Sequence, residues 1–310
     1  MPRSASPDRR PERNAGMSSE ISALGYVVVT AEDLAAWRSF AEGVLGLEVA
    51  EDRAQSDDSG TLLLRMDDHA WRIAVEQGPD GGIGALGFEV SGLQALESLK
   101  KRLSAAGVPV KDLSSLAVER QVLGLFGAQD PDGTALEFYY GGRMATSVFR
   151  SPRSVSFLTG SQGLGHAVLW VSDVVRAREF YIDLLGFRLT DIIDLEGMTL
   201  YFTSPNERHH SLAFASAEGK SGLQHIMLEV TQLDGVGRAL DLALASGGGP
   251  VSTLGRHTND KMVSFYCTAP SGLHVEYGCG AVQIDDSVHT TGYYTDASYW
   301  GHRPWHEQQP

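Results

Sequence analysis

Two distant stretches of this chain share one design. Leu24 to Val49, "LGYVVVTAEDLAAWRSFAEGVLGLEV", and Leu164 to Leu189, "LGHAVLWVSDVVRAREFYIDLLGFRL", both open on Leu-Gly and an apolar stretch of strand length. Each continues through an Asp into a helical pattern and ends at Leu-Gly. Gly46 and Gly186 stand where helices commonly stop. A second pair follows, "IGALGFEV" (Ile83 to Val90) and "LQHIMLEV" (Leu223 to Val230). Each precedes a helical segment, Leu93 to Ala106 and Leu233 to Ser246. A third pair is "DPDGTALEFYYG" (Asp130 to Gly141) with "APSGLHVEYGCG" (Ala269 to Gly280). Self-similarity at a fixed period constrains a fold more than any local propensity. The copies lie about 140 residues apart, and each divides into two strand–helix–strands units. The expectation is an α+β protein of two tandem domains, each made of two βαβββ modules that form an open, curved mixed sheet. The boundaries follow: a disordered tail over 1–20, a first domain over 21–145, a second over 146–290 and a C-terminal extension over 291–310.

Composition excludes several classes. The chain has 310 residues, 42% of them apolar, which is enough for two cores. Its 25 basic and 39 acidic residues give a formal charge of −14 without a basic patch, which argues against nucleic acid as a partner. No apolar run reaches the roughly 18–20 residues that span a bilayer, so no membrane partner is expected. The first twenty residues lack the apolar core of a signal peptide, and their Pro, Arg and Ser content suits a disordered tail. Met1 and Met17 both remain open as the natural start. Cys267 and Cys279 form no CxxC and fit reduced thiols, so a cytoplasmic location is expected, and homo-oligomers are common for such folds.

The repeat also serves as an internal control. His166 aligns with Tyr26, His225 with Ala85, and Glu276 with Glu137. A single buried histidine is most often a satisfied core imidazole. Two histidines that occur only in the second copy, at matching places with a carboxylate, point instead to a function the first copy lacks. Two neutral imidazoles and one carboxylate on the concave side of a curved sheet make a facial triad with open positions. That set suits a non-haem Fe(II) or Mn(II) centre. Zinc hydrolases also use two His and one Glu, but the HExxH helix of a zinc protease is absent from this sequence.

The segment "GRHTNDKMVSFYCTAPSGLHVEYG" (Gly255 to Gly278) crowds His257, Asn259, Asp260, Tyr266 and Glu276 into an apolar setting. Burying such groups is costly unless they are partnered or surround something that is not protein. The segment resembles the extradiol ring-cleavage dioxygenase signature through Gly255, His257, Phe265, Tyr266, Ala269, Pro270, Gly272 and Glu276. The resemblance extends over nearly the whole chain, including "NERHHSLAF" (Asn206 to Phe214) and "YWGHRP" (Tyr299 to Pro304). The chain is similar to type I extradiol dioxygenases of the vicinal oxygen chelate, or glyoxalase-like, superfamily, and most similar to the two-domain 2,3-dihydroxybiphenyl 1,2-dioxygenase group.

The resemblance implies Fe(II), with Mn(II) as the alternative metal, held by His166, His225 and Glu276, and a first domain that lost its ligands. It implies a catechol and O₂ as small-molecule partners, with His257 and Tyr266 bonding the reacting oxygens. It implies that His210 stabilises developing charge and donates a proton late in the reaction. The product would be of the muconic semialdehyde type. Asn259 and Asp260 either support this shell or simply form a turn. His274, two before Glu276, shares its face. Adjacent strand residues face opposite ways, so His209 is expected to face out while His210 faces in. Val168 and Phe202 would form an apolar wall for a second ring of the substrate. Two rivals stay open on these residues: a glyoxalase-like isomerase or lyase, and a non-catalytic small-molecule binder. The glycine-rich "GSQGLGH" (Gly160 to His166) and "GGIGALG" (Gly81 to Gly87) lead into strands rather than opening helices, so they suit linkers and not nucleotide loops.

Overall fold

A computed structural model describes residues 19–50, 60–246 and 249–308. The first module comprises β1 (Ile21–Ala31), α1 (Leu34–Phe40), β2 (Glu48–Val49), β3 (Thr61–Arg65) and β4 (Ile73–Gln77). The second comprises β5 (Ile83–Val90), α2 (Leu93–Ala105), β6 (Lys111–Asp112), the short α3 (Ala117–Arg120), β7 (Gly124–Gln129) and β8 (Ala135–Tyr140). Together they form an eight-stranded sheet in the order β2-β3-β4-β1-β5-β8-β7-β6. Within it β1 runs parallel to β4, β5 runs parallel to β8, and β1 and β5 meet antiparallel at the centre.

The second half repeats this plan. It contains β9 (Gly165–Trp170), α4 (Val174–Arg178), β10 (Arg188–Leu195), β11 (Met198–Ser204) and β12 (Leu212–Ala215). It then contains β13 (Gly222–Glu229), α5 (Leu233–Ala245), β14 (Gly255–His257), β15 (Val263–Thr268) and β16 (His274–Cys279). Again β9 pairs parallel with β12 and antiparallel with β13, and β13 pairs parallel with β16. The four βαβββ modules are therefore present. The first helix of each half starts at an aspartate: Asp33 accepts from Ala36 N at 2.8 Å, and Asp173 from Val175 N at 2.8 Å. Both helices then widen into a π-helical turn, Ala41–Leu45 and Glu179–Leu184, a feature without a sequence signal. Gly46 and Gly186 follow with φ of 76° and 79°, the left-handed conformation that glycine adopts without penalty.

Two further strands, β17 (Gly292–Tyr294) and β18 (Ser298–Trp300), give the C-terminal extension a definite role. β17 joins β10 at one edge of the second sheet and β18 joins β14 at the other, making the order β17-β10-β11-β12-β9-β13-β16-β15-β14-β18. Only Thr295, Asp296 and Ala297 separate the two strands. Four peptide steps reach at most about 14 Å, whereas ten strands laid flat at about 4.8 Å each would span over 40 Å. The sheet must therefore curl until its edges nearly meet.

Alternation along the strands separates two faces. One face carries Val27, Leu169, Ile226, Leu228, Val275 and Tyr277 into a large apolar cluster with Trp37, Leu99 and Val236 from the helices. The other face lines the concave interior. In the first sheet it holds Tyr26, Val28, Ala85, Trp71 and Tyr139, and in the second Val168, Ile193, Phe202 and Ala213.

Three expectations need correction. The tail expected over 1–20 lies outside the described residues up to residue 18. Ser19 and Glu20, however, are tied down: Ser19 Oγ donates to Leu185 O at 3.0 Å, and Glu20 pairs with Arg102 at 2.5 Å. The glycine-rich stretches are linkers only at their starts. Ile83 to Gly87 already belongs to β5, Gly160–Gln162 forms a 3₁₀ turn, and Gly165 and His166 open β9. Finally, "RHHS" lies on no strand, because residues 205–211 form the loop between β11 and β12. The pleat rule therefore does not apply there, and His209, expected to face out, is buried at 2% exposure. No helix among the described residues is long and apolar enough to cross a membrane.

Candidate metal centre

His166 on β9, His225 on β13 and Glu276 on β16 come from three adjacent strands. Met227 is the register partner of both His166 and Glu276, and His225 lies two residues earlier on the same strand. The three side chains share the concave face and are buried. His166 Nε2 lies 3.1 Å from His225 Nε2, and Glu276 Oε2 lies 3.2 Å from the first and 3.3 Å from the second. This nearly equilateral triangle of donors is small enough for one cation bonded at about 2.1 Å to reach every corner. A buried carboxylate facing two imidazole nitrogens also needs positive charge to balance it. The residues therefore fit a divalent metal.

The carboxylate is held from behind. Ser264 Oγ donates to Glu276 Oε1 at 2.6 Å, and His257 Nε2 lies 3.1 Å from the same oxygen. Burial raises the Glu276 pKa, but the contacts with His166, His225 and His257 outweigh it and hold the carboxyl well below its ordinary range. Burial takes His166 down to about 4, only partly offset by Glu276. His257 behaves oppositely. Burial lowers it, but the bond to Glu276 and its charge prevail, and the ring is raised to about 9. Both of its nitrogens face acceptors, since Nδ1 lies 3.0 Å from Ala297 O. Tyr266 Oη lies 3.1 Å from His257 Nε2. Burial, then the charge of Glu276, keep this phenol protonated far above its ordinary pKa.

His210 enters from the loop, its ring 4.0 Å from that of His166 and 4.9 Å from that of Phe202, centre to centre. Burial, then His166 and His209, depress its pKa well below the ordinary value. Arg208 fixes this loop from the core. Its Nε donates to Gln162 O at 3.2 Å, Nη1 to Glu229 at 2.6 Å and Nη2 to Leu158 O at 2.6 Å. Asn259 and Asp260 form a buried turn, in which Asp260 Oδ1 accepts from Met262 N at 3.0 Å. Asn259 Nδ2 is a buried donor with no hydrogen-bond partner among the described residues. Val168 and Phe202 pack with Ile193 and Ala213 into an apolar cluster bordered by Tyr294 of β17. His274 is half-buried, in register with His225.

Sequence reasoning missed Ser264 and His302, and also Asp191, whose carboxylate lies 2.8 Å from His209 Nε2. Ser264 could have been found: it lies two before Tyr266 on one strand, so alternation gives both the same face. His302, whose ring lies 4.2 Å from that of His257, stands within "YWGHRP", but alternation could not place it at the site, because the turn that returns it there is tertiary.

Comparison with known proteins agrees with this architecture. Residues 163–277 match the Glyoxalase/Bleomycin resistance protein/Dioxygenase superfamily, and residues 24–78 match the family described as Dihydroxybiphenyl dioxygenase BphC D1. A biphenyl-2,3-diol 1,2-dioxygenase of Metapseudomonas furukawaii is 44% identical over 94% of this chain and 99% of its own. A 3-methylcatechol 2,3-dioxygenase of Pseudomonas putida is 43% identical over 91% of this chain and 98% of its own. The crystal structure of a halotolerant catechol dioxygenase, BphC, superimposes with a TM-score of 0.87 at 36% identity, covering 94% of this chain and 97% of that one. The chain belongs to the type I extradiol dioxygenases of the vicinal oxygen chelate superfamily.

Proposed function

We propose that the protein cleaves a catechol ring beside its diol, using O₂ and Fe(II) held by His166, His225 and Glu276, and that its preferred catechol carries a second ring next to the diol. The observation that carries this reading is the buried triangle of two imidazoles and one carboxylate, with His210, His257 and Tyr266 around it. Such a set leaves open positions on one side and suits Fe(II), with Mn(II) the nearest substitute. Fe(II) bound there would acidify a chelated catechol and bring it and O₂ to one centre. The chain's own groups do the rest. In this reading the His257 ring and the Tyr266 hydroxyl face the substrate oxygens, and the Asn259 amide supplies a further donor. His210, kept neutral by burial, moves a proton at the reacting oxygens. The concave wall excludes water and holds the reactants in register. In this reading residues 21–145 form a non-catalytic domain and 146–290 the catalytic one.

The wall of Val168 and Phe202 supports the substrate class. Burying an aryl substituent there removes on the order of 100 Å² of apolar surface, worth about 2–3 kcal/mol. A 3-aryl catechol should then exceed plain catechol in kcat/KM by about 30- to 100-fold, with 3-methylcatechol between them. The test loads the protein anaerobically with Fe(II), adds 2,3-dihydroxybiphenyl, 3-methylcatechol or catechol, and admits air. A yellow product forming with one O₂ consumed per ring is expected. Equal specificity constants would remove the bicyclic assignment alone; metal-loaded protein that yields no ring-opened product would remove the reaction.

A further inference from the structure

His209, buried against expectation, has a partner at each of its ring nitrogens. Asp191 of β10 lies beneath it, with Oδ2 2.8 Å from His209 Nε2. The other carboxylate oxygen, Oδ1, accepts from Gly292 N of β17 at 2.8 Å. Gly292 is the residue that permits this approach, since a Cβ there would lie 2.5 Å from Asp191 Oδ1. On its far side His209 Nδ1 lies 3.0 Å from His210 Nδ1, the two rings standing at 87°. All three side chains are buried.

The chain of contacts has one consistent hydrogen assignment while both rings are neutral. An ionised carboxylate only accepts, so His209 Nε2 carries the hydrogen. A neutral imidazole then has a lone pair at Nδ1, so the hydrogen between the two rings belongs to His210 Nδ1. His210 is left with a lone pair on Nε2, the nitrogen on the side of its ring away from His209. We infer that Asp191 and His209 are positioning residues that fix His210 in the Nδ1–H tautomer, so that its Nε2 lone pair is the one left available to the substrate. The inference rests on the acid–base role proposed for His210 and adds what sets the tautomer in which that ring begins. His209, His210 and Asp260 also place one potential ligand atom each within 4.8 Å of one another. Both nitrogens of His209 are already engaged, one by Asp191 and one by His210, so the group forms a hydrogen-bond chain and not a second metal site.

Asp191→Asn is the decisive variant. Its carbonyl oxygen can keep the Gly292 N–H, which turns the amide –NH₂ toward His209 Nε2. That nitrogen must then accept, the order of donors reverses, and His210 carries its hydrogen on Nε2, as when a triad aspartate is made an amide. His209→Gln is the rescue, because its –NH₂ can serve Asp191 and its carbonyl can accept from His210 Nδ1. Long-range ¹H–¹⁵N spectra of histidine-labelled protein loaded with diamagnetic Zn(II) read the tautomers directly. Wild type should show Nε2–H on His209 and Nδ1–H on His210, and Asp191→Asn should show both reversed. In the Fe(II) enzyme Asp191→Asn should lose about 10²- to 10⁴-fold in kcat, with KM and metal per chain unchanged, while His209→Gln stays within about ten-fold of wild type. Unreversed tautomers, an unchanged kcat, or loss of a second equivalent of metal in either variant would overturn the inference. A wild-type protein that shows the assigned tautomers but cleaves no catechol would sink the proposed activity, leaving the hydrogen-bond chain itself intact.

Discussion

Glu276 is the residue on which most other groups depend. One of its oxygens faces His166 and His225, and the other takes Ser264 and approaches His257. Replacing His166, His225 or Glu276 singly with alanine should abolish bound metal, measured as metal per chain by elemental analysis, while near-UV circular dichroism stays native. Wild-type metal content in any of the three would remove that residue from the ligand set. The asymmetry that singled them out in the sequence has a physical counterpart in the first half. There Glu137 survives with neither histidine, and Arg120 answers its charge with Nε 2.9 Å from Oε2 and Nη2 3.1 Å from Oε1. The Tyr26 hydroxyl bonds the same carboxylate at 2.5 Å. A guanidinium thus balances in one copy what a metal is proposed to balance in the other. His166, His225 and Glu276 were legible because duplication marks what changed. Arg120 was not, because it reaches Glu137 from a four-residue helix that no periodicity announces.

At the scale of elements, legibility followed the pleat. On β9, β13 and β16 alternation sends His166, Val168, His225 and Glu276 to one face, and their neighbours Ala167, Ile226, Val275 and Tyr277 to the other. Between β11 and β12 there is no pleat, and the direction of each histidine is set by what anchors the loop. Arg208 is that anchor, 1% exposed and paired with Glu229, itself 2% exposed. Its other bonds go to the carbonyls of Leu158 and Gln162, in the segment that leads into β9. Arg208→Met should therefore act twice. It leaves the Glu229 carboxylate buried without its cation, at a cost of about 3–5 kcal/mol, and it frees the loop that aims His210. Urea denaturation of the metal-loaded protein should show the lower midpoint. Adding Glu229→Met should recover most of the stability, because an apolar pair replaces the stranded charge, but not the activity, because the loop stays unanchored. A single variant as stable as wild type would show that other contacts hold the loop.

At the scale of the whole molecule, the duplication suggests two separable units, and the packing does not respect the suggestion. One apolar cluster runs through both halves, joining Leu24, Trp37, Leu45 and Phe88 to Phe187, Val236, Phe265 and Tyr277. Among the hydrogen bonds that cross between them, three come from buried aromatic side chains. Trp37 Nε1 donates to Ser271 Oγ at 3.0 Å, Tyr181 Oη to Asp130 Oδ2 at 2.8 Å, and Tyr277 Oη to Leu45 O at 2.9 Å. The first two are reciprocal. Asp130 and Ser271 sit in the matching turns before β8 and β16, and each receives an aromatic side chain from the first helical segment of the other half. The turn that Trp37 holds leads directly into the strand carrying Glu276. A fragment of residues 146–310 would expose this shared apolar face, leave the Tyr181 and Tyr277 hydroxyls without their partners, and lose the support behind the Glu276 strand. Each lost bond costs about 1 kcal/mol, and the exposed side chains about 1.5–3 kcal/mol apiece. A handful of such losses equals the whole stability of an ordinary domain. The fragment should therefore lack a cooperative thermal transition and a near-UV signal, and bind no stoichiometric metal. A fragment that melted cooperatively and took up one metal per chain would show that the first half is a passenger. Failure on both counts would identify it as the part that holds the proposed metal-binding strand in place.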